Sequence, residues 1–165
     1  MLAPDHRAVQ SKPELSADAA VGITISLGIL AWNEAEAIGA TLESLFRQSL
    51  FAELARRGQR CEILCVTNGC TDQTPAIAAN IFEAQSNHHP WKSTFTVRVV
   101  NVPERGKTNA WNLFVHSQSA RTAGVLFLMD GDIVIREPNT IWNMYTALLN
   151  HPGAAIAIDQ PLKDL

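Results

Sequence analysis

The chain alternates short apolar runs with amphipathic segments, which predicts strands and helices in alternation. Residues 21–30 (VGITISLGIL) carry no charge and are rich in β-branched side chains, a pattern typical of a strand covered on both faces of a sheet. The residues that follow are predicted to form an amphipathic helix, because apolar side chains recur there at helical spacing. These are Ile38, Leu42, Leu45 and Phe46. Asn33 and Glu36 predict a capping box at the start of this helix.

The same strand-helix unit is predicted to repeat along the chain. Further strands are expected at residues 61–66, 95–102 and 124–129, with 154–158 as a candidate fifth. Thr74 and Pro75 predict the start of the second helix, as N-cap and first helical residue. The next helix is expected to bury Trp111, Phe114 and Val115, and the last begins near Pro138 and ends before the segment His151-Pro152-Gly153.

Alternating strands and helices predict an α/β fold with a mostly parallel, Rossmann-like sheet and helices on both faces. We expect a flexible leader over residues 1–20 and one domain over residues 21–165, ending after about the fifth strand. Segments 51–60 and 87–92 are polar and are predicted to be loops, which makes His88 and His89 solvated. Ligands of such sheets bind at the carboxyl ends of the strands.

Composition and charge exclude several classes of protein. The chain has 165 residues, of which 47% are hydrophobic and 18% charged, so it has ample material for a core. A net charge of -3 without a Lys/Arg run argues against nucleic acid as a partner. The apolar runs are shorter than a membrane span, and the N-terminal segment lacks the order of a signal peptide. The three cysteines, Cys61, Cys65 and Cys70, predict free thiols. We therefore expect a cytoplasmic protein.

Two carboxylates, Asp130 and Asp132, follow the fourth apolar strand with one glycine between them. Mg²⁺ and Mn²⁺ prefer such oxygen ligands and keep positions open for phosphates, so this acidic turn (residues 130–132) is a candidate metal site facing a diphosphate. A plain Asp-Gly turn is the alternative reading.

Arg105, Gly106 and Lys107 form a basic turn (residues 105–107) after the third strand. A P-loop would also end in Gly-Lys-Thr there, but its first glycine would fall at Asn101, and Pro103 lacks the N–H that phosphates need. The turn is predicted either to present two cations to a diphosphate or to be simply solvated. No G-x-G-x-x-G motif follows a strand, which disfavours a dinucleotide-dependent dehydrogenase.

Four segments in this order resemble glycosyltransferase family 2, which has the GT-A fold. The first loop (residues 31–34, AWNE) is similar to the family's A-x-N-E. Residues 67–74 (TNGCTDQT), which begin with the second loop (residues 67–72), are similar to its D-D-G-S-T-D-x-T. Residues 105–112 (RGKTNAWN) resemble R-G-K-x-x-A-x-N, and the acidic turn resembles the D-x-D motif. The resemblance extends from about residue 23 to residue 158.

The resemblance implies a nucleotide-sugar donor, with a UDP-sugar favoured, and Mg²⁺ or Mn²⁺ as cofactor. It implies that Ala31, Asn33, Glu34 and Asn68 contact the nucleoside of the donor. It also implies that Arg105 and Lys107 lie near the donor, and that Asp130 and Asp132 contact ribose, diphosphate and metal. Asp72 is expected to brace its own loop. The chain is thus predicted to contain the donor-binding half of a metal-dependent glycosyltransferase.

Two departures from the family pattern matter. Thr67-Asn68 replaces the family's acidic pair, so the identity of the base is open. Family members continue into an acceptor-binding half that carries the catalytic Asp, so the general base is expected beyond Leu165, and Asp159 is expected to lie at a strand end or in a solvated tail. The alternatives are a non-catalytic nucleotide-sugar-binding module that needs a partner chain, and a nucleotidyltransferase, which would need a Gly-rich loop after the first strand.

Overall fold

Four parallel strands form the centre of the computed structural model, which describes residues 22–158. They are β1 (Ile23–Ala31), β2 (Arg60–Asn68), β3 (Phe95–Val102) and β4 (Val125–Asp130). Their spatial order is β3-β2-β1-β4, and every neighbouring pair is parallel. The predicted parallel α/β fold is confirmed. Strand β1 lies inside the sheet, as its uncharged sequence predicts, and its last seven residues are buried.

Within the described residues, five α-helices cover both faces of this sheet. They are α1 (Ile38–Phe46), α2 (Leu50–Arg57), α3 (Thr74–His88), α4 (Lys107–Leu113) and α5 (Thr140–Asn150). Buried side chains of α1, α2, α3 and α5 pack in one core with Ile25, Leu27 and Ile29 of β1. A second core contains Ala110 of α4 and Phe114, together with side chains of β1 and β2. Alternate residues of the central strands therefore serve two cores, as a sheet with helices on both faces requires.

Segment 51–60 is wrongly predicted as a loop, because most of it belongs to α2. Four charged residues make this stretch look polar, but Leu50, Phe51 and Leu54 are completely buried. They lie on one side of a short amphipathic helix, which ends at Arg57 and is capped by Gly58 in the left-handed conformation. The charged side chains occupy its other side.

His88 is exposed as predicted, but His89 is not a simple solvated side chain. Its ring contacts Phe46, Phe51 and Phe95, with ring centroids 5.2 to 5.9 Å apart. Its Nδ1 accepts a hydrogen bond from the Trp91 N–H at 3.1 Å. His89 thus packs at the edge of an aromatic cluster. The prediction failed because the polar sequence around His89 gives no sign of the three phenylalanines that pack against it.

Four further local predictions are wrong. Helix α1 begins at Ile38 without a side-chain cap, so Asn33 and Glu36 form no capping box. Helix α3 begins one residue early, at Thr74, with Gln73 as its N-cap. Trp111 points outward and is 43% exposed. Residues 154–158 form no strand, because no described strand pairs with them.

Within residues 22–158, no helix combines the length and the apolar character that crossing a membrane requires. Cys61 and Cys65 are buried and Cys70 is half-buried, and all three are free thiols as predicted. Burial raises the pKa of Cys65 to about 12, so this thiol is inert at neutral pH. The predicted leader over residues 1–20 and the prediction for Asp159 lie outside the described residues.

Candidate functional site

A cleft of about 270 Å³ opens at the carboxyl ends of the strands. Strand β1 lies between β2 and β4. After β1 the chain adds β2 and β3 on one side of it, and then crosses over to add β4 on its other side. Such a change of direction separates the loops that follow two neighbouring strands and leaves a crevice between them. The cleft is lined by Leu30, Trp32, Glu34, Asn68, Arg105, Gly106, Lys107, Asp130 and Asp132.

The fold brings six of the eight predicted donor-binding residues to this cleft: Glu34, Asn68, Arg105, Lys107, Asp130 and Asp132. Two predicted residues, Ala31 and Asn33, do not line it. Their contacts instead hold neighbouring loops in place. The cleft also contains Trp32, which was not among the predicted residues.

Ala31 fixes the acidic turn against the end of β1. Its side chain is buried, and a Cβ added at Gly131 would lie only 2.9 Å from the Ala31 Cβ. Only glycine therefore allows the two loops to approach this closely. The Thr41 hydroxyl donates a hydrogen bond to the Gly131 carbonyl at 2.8 Å, which holds the turn from the other side. Asp130 and Asp132, on either side of Gly131, are thereby positioned at the cleft.

Asn33 joins the first loop to the second loop. Its backbone is left-handed, with φ of 54°, a conformation that Asn tolerates better than most residues. Its side-chain Oδ1 accepts a hydrogen bond from the Thr71 N–H at 2.8 Å. The Asn33 N–H points to Cys70 Sγ at 3.4 Å. The side chain thus has a structural partner outside the cleft.

Asp72 braces both loops, which extends its predicted role. Its carboxylate accepts hydrogen bonds from the Thr74 N–H at 3.0 Å, the Thr74 hydroxyl at 2.6 Å and the Ala35 N–H at 3.0 Å. Burial raises the pKa of Asp72, but the hydrogen bonds from Thr74 and Ala35 outweigh burial, and the net pKa lies below its usual value. Folding therefore favours the ionised carboxylate.

Asn68 connects three loops through one amide. It is 3% exposed, its Nδ2 donates to the Ala31 carbonyl at 2.9 Å, and its Oδ1 accepts from the Gly106 N–H at 3.1 Å. Next to it, Gly69 has φ of 67°, and a Cβ there would lie 2.8 Å from the Arg105 backbone nitrogen. The first loop, the second loop and the basic turn are therefore packed together at the base of the cleft.

The two cations of the basic turn each contact a different partner in the cleft. The Arg105 guanidinium lies over the Trp32 ring, with Cζ 3.5 Å from the ring centroid. The Lys107 Nζ lies 2.7 Å from Asp130 Oδ1. Trp32 could have been found from the sequence, because a large aromatic residue directly after a buried strand in a parallel sheet must lie near the ligand edge.

The acidic side chains of the cleft affect the ionisation of Glu34. Burial raises the pKa of Glu34, and the nearby charges of Asp132, Asp72 and Asp130 raise it further. The described residues contain no group of three or more His, Cys, Asp or Glu side chains arranged as a complete metal site. Any cation bound at the acidic turn would thus depend on ligand atoms from elsewhere.

The fold is of the GT-A, Rossmann-like class. Residues 26–163 match the sequence model of "Glycosyl transferase family 2", so the chain belongs to this family, as the motifs predict. No curated protein is significantly similar to the chain in sequence.

The fold is also similar to two solved structures of S. aureus TarS. It matches the crystal structure of S. aureus TarS 1-349 with 19% sequence identity and a TM-score of 0.57, over 79% of this chain and 33% of that one. It matches the crystal structure of S. aureus TarS 1-349 in complex with UDP-GlcNAc with 20% identity and a TM-score of 0.53, over 79% and 32%. The chain thus spans about a third of the length of these structures.

Proposed function

We propose that this chain binds the donor of a metal-dependent glycosyltransferase, which transfers a sugar from a nucleoside diphosphate sugar to an acceptor hydroxyl. The observation that carries the proposal is the cleft at the carboxyl ends of β1 and β4. There an exposed aromatic ring, two cations and three carboxylates converge in a space of about 270 Å³. A nucleoside diphosphate needs these three kinds of contact: a flat surface for the base, cations for the phosphates and acceptors for sugar hydroxyls.

Membership of family 2 and the similarity to TarS support this proposal. One of the similar TarS structures contains UDP-GlcNAc, which favours a UDP-sugar as the donor for this chain as well. Asn68 stands where the family has an acidic residue, so the base preference has to be measured. Its amide already bonds Ala31 and Gly106, and the remaining lone pair and N–H would be what it offers a base.

The residues of the acidic turn fit a divalent cation. Asp130 and Asp132 both line the open cleft and supply hard carboxylate oxygens. Two carboxylates are too few to enclose an ion, but Mg²⁺ and Mn²⁺ are commonly held by one or two carboxylates together with water and substrate phosphates. When bound, such an ion neutralises the charge that develops on the departing nucleoside diphosphate.

The other side chains of the cleft would bind and orient the donor. Arg105 and Lys107 would form charge-assisted hydrogen bonds with the diphosphate. Trp32 would offer the exposed part of its ring to the base, since base-aromatic stacking does not depend on a particular base. Glu34, held beside the acidic turn, would accept a hydrogen bond from a ribose hydroxyl. These contacts would preorganise the leaving group without supplying a base.

We propose that the general base lies in an acceptor-binding part outside residues 22–158. The carboxylates in the cleft are assigned to donor and metal, and the chain spans about a third of the TarS structures it resembles. Loss of a general base alone typically costs a factor of about 10² to 10⁴ in rate. The 165-residue chain is thus expected to bind donor while transferring sugar very slowly, and it is proposed to act in the cytoplasm.

Isothermal titration calorimetry with UDP tests the proposal. We expect binding in Mn²⁺ or Mg²⁺ that weakens sharply in chelator, and that is lost in Asp130→Asn and Asp132→Asn. Glu83→Gln, an exposed change on α3, is the control and should bind like the parent. Equal affinity with and without chelator would remove the metal from the proposal. Absence of binding for UDP, GDP and ADP alike would remove the donor site.

Measurement of transfer and donor hydrolysis separates the enzyme from a non-catalytic binding module. A chain extended by its acceptor-binding part should transfer sugar at a rate far above that of the 165-residue chain. If the extended protein binds UDP-sugar but neither transfers nor hydrolyses it, the binding-module alternative is correct.

A further inference from the structure

We infer that Lys107 is an internal counter-cation for Asp130 that competes with the divalent metal ion, and that the donor's diphosphate removes Lys107 from this carboxylate. The observation is the 2.7 Å contact between Lys107 Nζ and Asp130 Oδ1. This inference rests on the proposed function, because it assigns the same Asp130 to the metal. It adds that the Asp130 carboxylate pairs with Lys107 in the free chain and with the metal once the nucleotide has bound.

The ion pair links two parts of the fold rather than stabilising one element. Lys107 is the first residue of α4, after β3 at one edge of the sheet, and Asp130 ends β4 at the other edge. Two other ion pairs join residues only three or four positions apart: Glu53 with Arg56 within α2, and Glu43 of α1 with Arg47, the residue that follows this helix. The Lys107-Asp130 pair therefore bridges the cleft in which both residues lie.

A divalent ion at Asp130 and an ammonium group 2.7 Å from the same carboxylate repel each other. The Lys107 side chain is 70% exposed and that of Asp130 is 44% exposed, so the pair is partly screened by water and can separate at small cost. Lysine has a long, flexible stem, which lets its charge move several ångströms while α4 stays in place. Metal binding should thus displace Lys107 from the carboxylate.

A bound diphosphate offers Lys107 a new partner in the same cleft. Its oxygens accept charge-assisted hydrogen bonds from an ammonium group at least as well as a half-exposed carboxylate does. When Lys107 turns to the phosphates, Asp130 becomes available to the metal. Nucleotide therefore raises the affinity for metal, and by linkage metal raises the affinity for nucleotide by the same factor. Part of that coupling would come from Lys107 itself.

The test is a titration of the 165-residue chain with Mn²⁺ at low ionic strength, with and without UDP. The electron paramagnetic resonance signal of free Mn²⁺ monitors binding. Without UDP, Lys107→Met should bind Mn²⁺ roughly fivefold more tightly than the parent, since a surface ion pair contributes up to about 1 kcal/mol. The same variant should bind UDP roughly tenfold more weakly, because one charge-assisted hydrogen bond is lost. A merely structural role of Lys107 would not move the two affinities in opposite directions.

Two variants serve as controls. Lys107→Arg keeps a cation that can pair with Asp130, so its Mn²⁺ affinity should remain close to that of the parent. Arg105→Met removes a charge from the same turn, but the Arg105 guanidinium faces the Trp32 ring instead of a carboxylate. It should weaken UDP binding while changing Mn²⁺ affinity without UDP much less than Lys107→Met does.

The outcomes separate this inference from the proposed function. Unchanged or weaker Mn²⁺ binding by Lys107→Met, in a protein that binds Mn²⁺ through Asp130, overturns the inference and leaves the donor site in place. Equal tightening by Lys107→Met and Arg105→Met would show a general charge effect and also overturn it. UDP binding without any Mn²⁺ binding would contradict both the proposed metal site and the competition between Lys107 and the metal. No binding of UDP at all would refute the proposed function.

Discussion

The guanidinium of Arg105 lies over the indole ring of Trp32, with its Cζ 3.5 Å from the ring centroid. This contact joins the basic turn to the first loop within the cleft that both residues line. A cation above an aromatic face is attracted by the ring quadrupole, by about 0.5 to 1 kcal/mol at an exposed site. Trp32 therefore both orients Arg105 and presents a flat apolar surface to a ligand.

Trp32→Ala should weaken UDP binding more than it weakens pyrophosphate binding. Removal of the ring frees Arg105, which affects both ligands, but only UDP also loses a stacking surface, at about 1 to 3 kcal/mol per base. Calorimetry with the two ligands measures the difference. Trp91→Ala, at a tryptophan that is 43% exposed and does not line the cleft, is the control. Equal losses for UDP and pyrophosphate would show that the base lies elsewhere.

Asn68→Ala should lower both the stability of the chain and its affinity for UDP. The substitution removes the amide from the half-buried Gly106 N–H and from the buried Ala31 carbonyl, which keeps only a weak contact with the Cys70 Sγ at 3.6 Å. A buried polar group left without a partner costs about 1 to 3 kcal/mol. Urea denaturation gives the loss in free energy of unfolding. Asn80→Ala, at an exposed position on α3, is the control.

Asn68→Asp separates the two halves of the amide. The carboxylate keeps an acceptor for the Gly106 N–H but places a negative charge against the Ala31 carbonyl. We therefore expect a free energy of unfolding between that of the parent and that of Asn68→Ala. A variant as stable as the parent would contradict the structural role that we assign to the Nδ2 group.

Gly69→Ala should destabilise the chain and displace Arg105. The residue combines φ of 67° with a backbone contact, because a Cβ would lie 2.8 Å from the Arg105 nitrogen. Gly58→Ala is the matched control: its φ is 61°, yet no atom lies within 4 Å of the added Cβ. Both variants carry the left-handed strain of about 1 to 2 kcal/mol. Thermal unfolding should show a larger loss for Gly69→Ala, and only this variant should lose UDP affinity.

Asp72→Asn should destabilise the chain at pH 7 and less so in acid. The pKa of Asp72 in the folded chain lies below its ordinary value of 3.8, so its stabilisation is present above that value and disappears as the pH falls through the lowered pKa. The loss of charge-assisted hydrogen bonds should cost about 1 to 3 kcal/mol at pH 7. Unfolding by urea between pH 7 and pH 3 should show the parent and the variant converging. A constant gap would mean that ionisation of Asp72 contributes nothing.

The pattern of apolar runs along the chain is sufficient to predict the sheet and the edge at which the loops meet. Strand β3 has the predicted bounds, residues 95–102, and β1 is interior, as an uncharged run of apolar residues requires. Parallel strands point their carboxyl ends the same way, so Glu34, Asn68, Asp130 and Asp132 had to lie on one edge. The four family motifs could be placed for the same reason.

Which of these residues contact one another depends on how the strands and loops are arranged in space. The pairs Arg105 with Trp32, Lys107 with Asp130 and Asn68 with Gly106 join loops that follow different strands. Periodicity along the chain reports which side chains are buried, because burial depends on the local face of a helix or strand. Contacts between loops depend on strand order and on close approaches such as Gly131 to Ala31, and no local pattern encodes these distances.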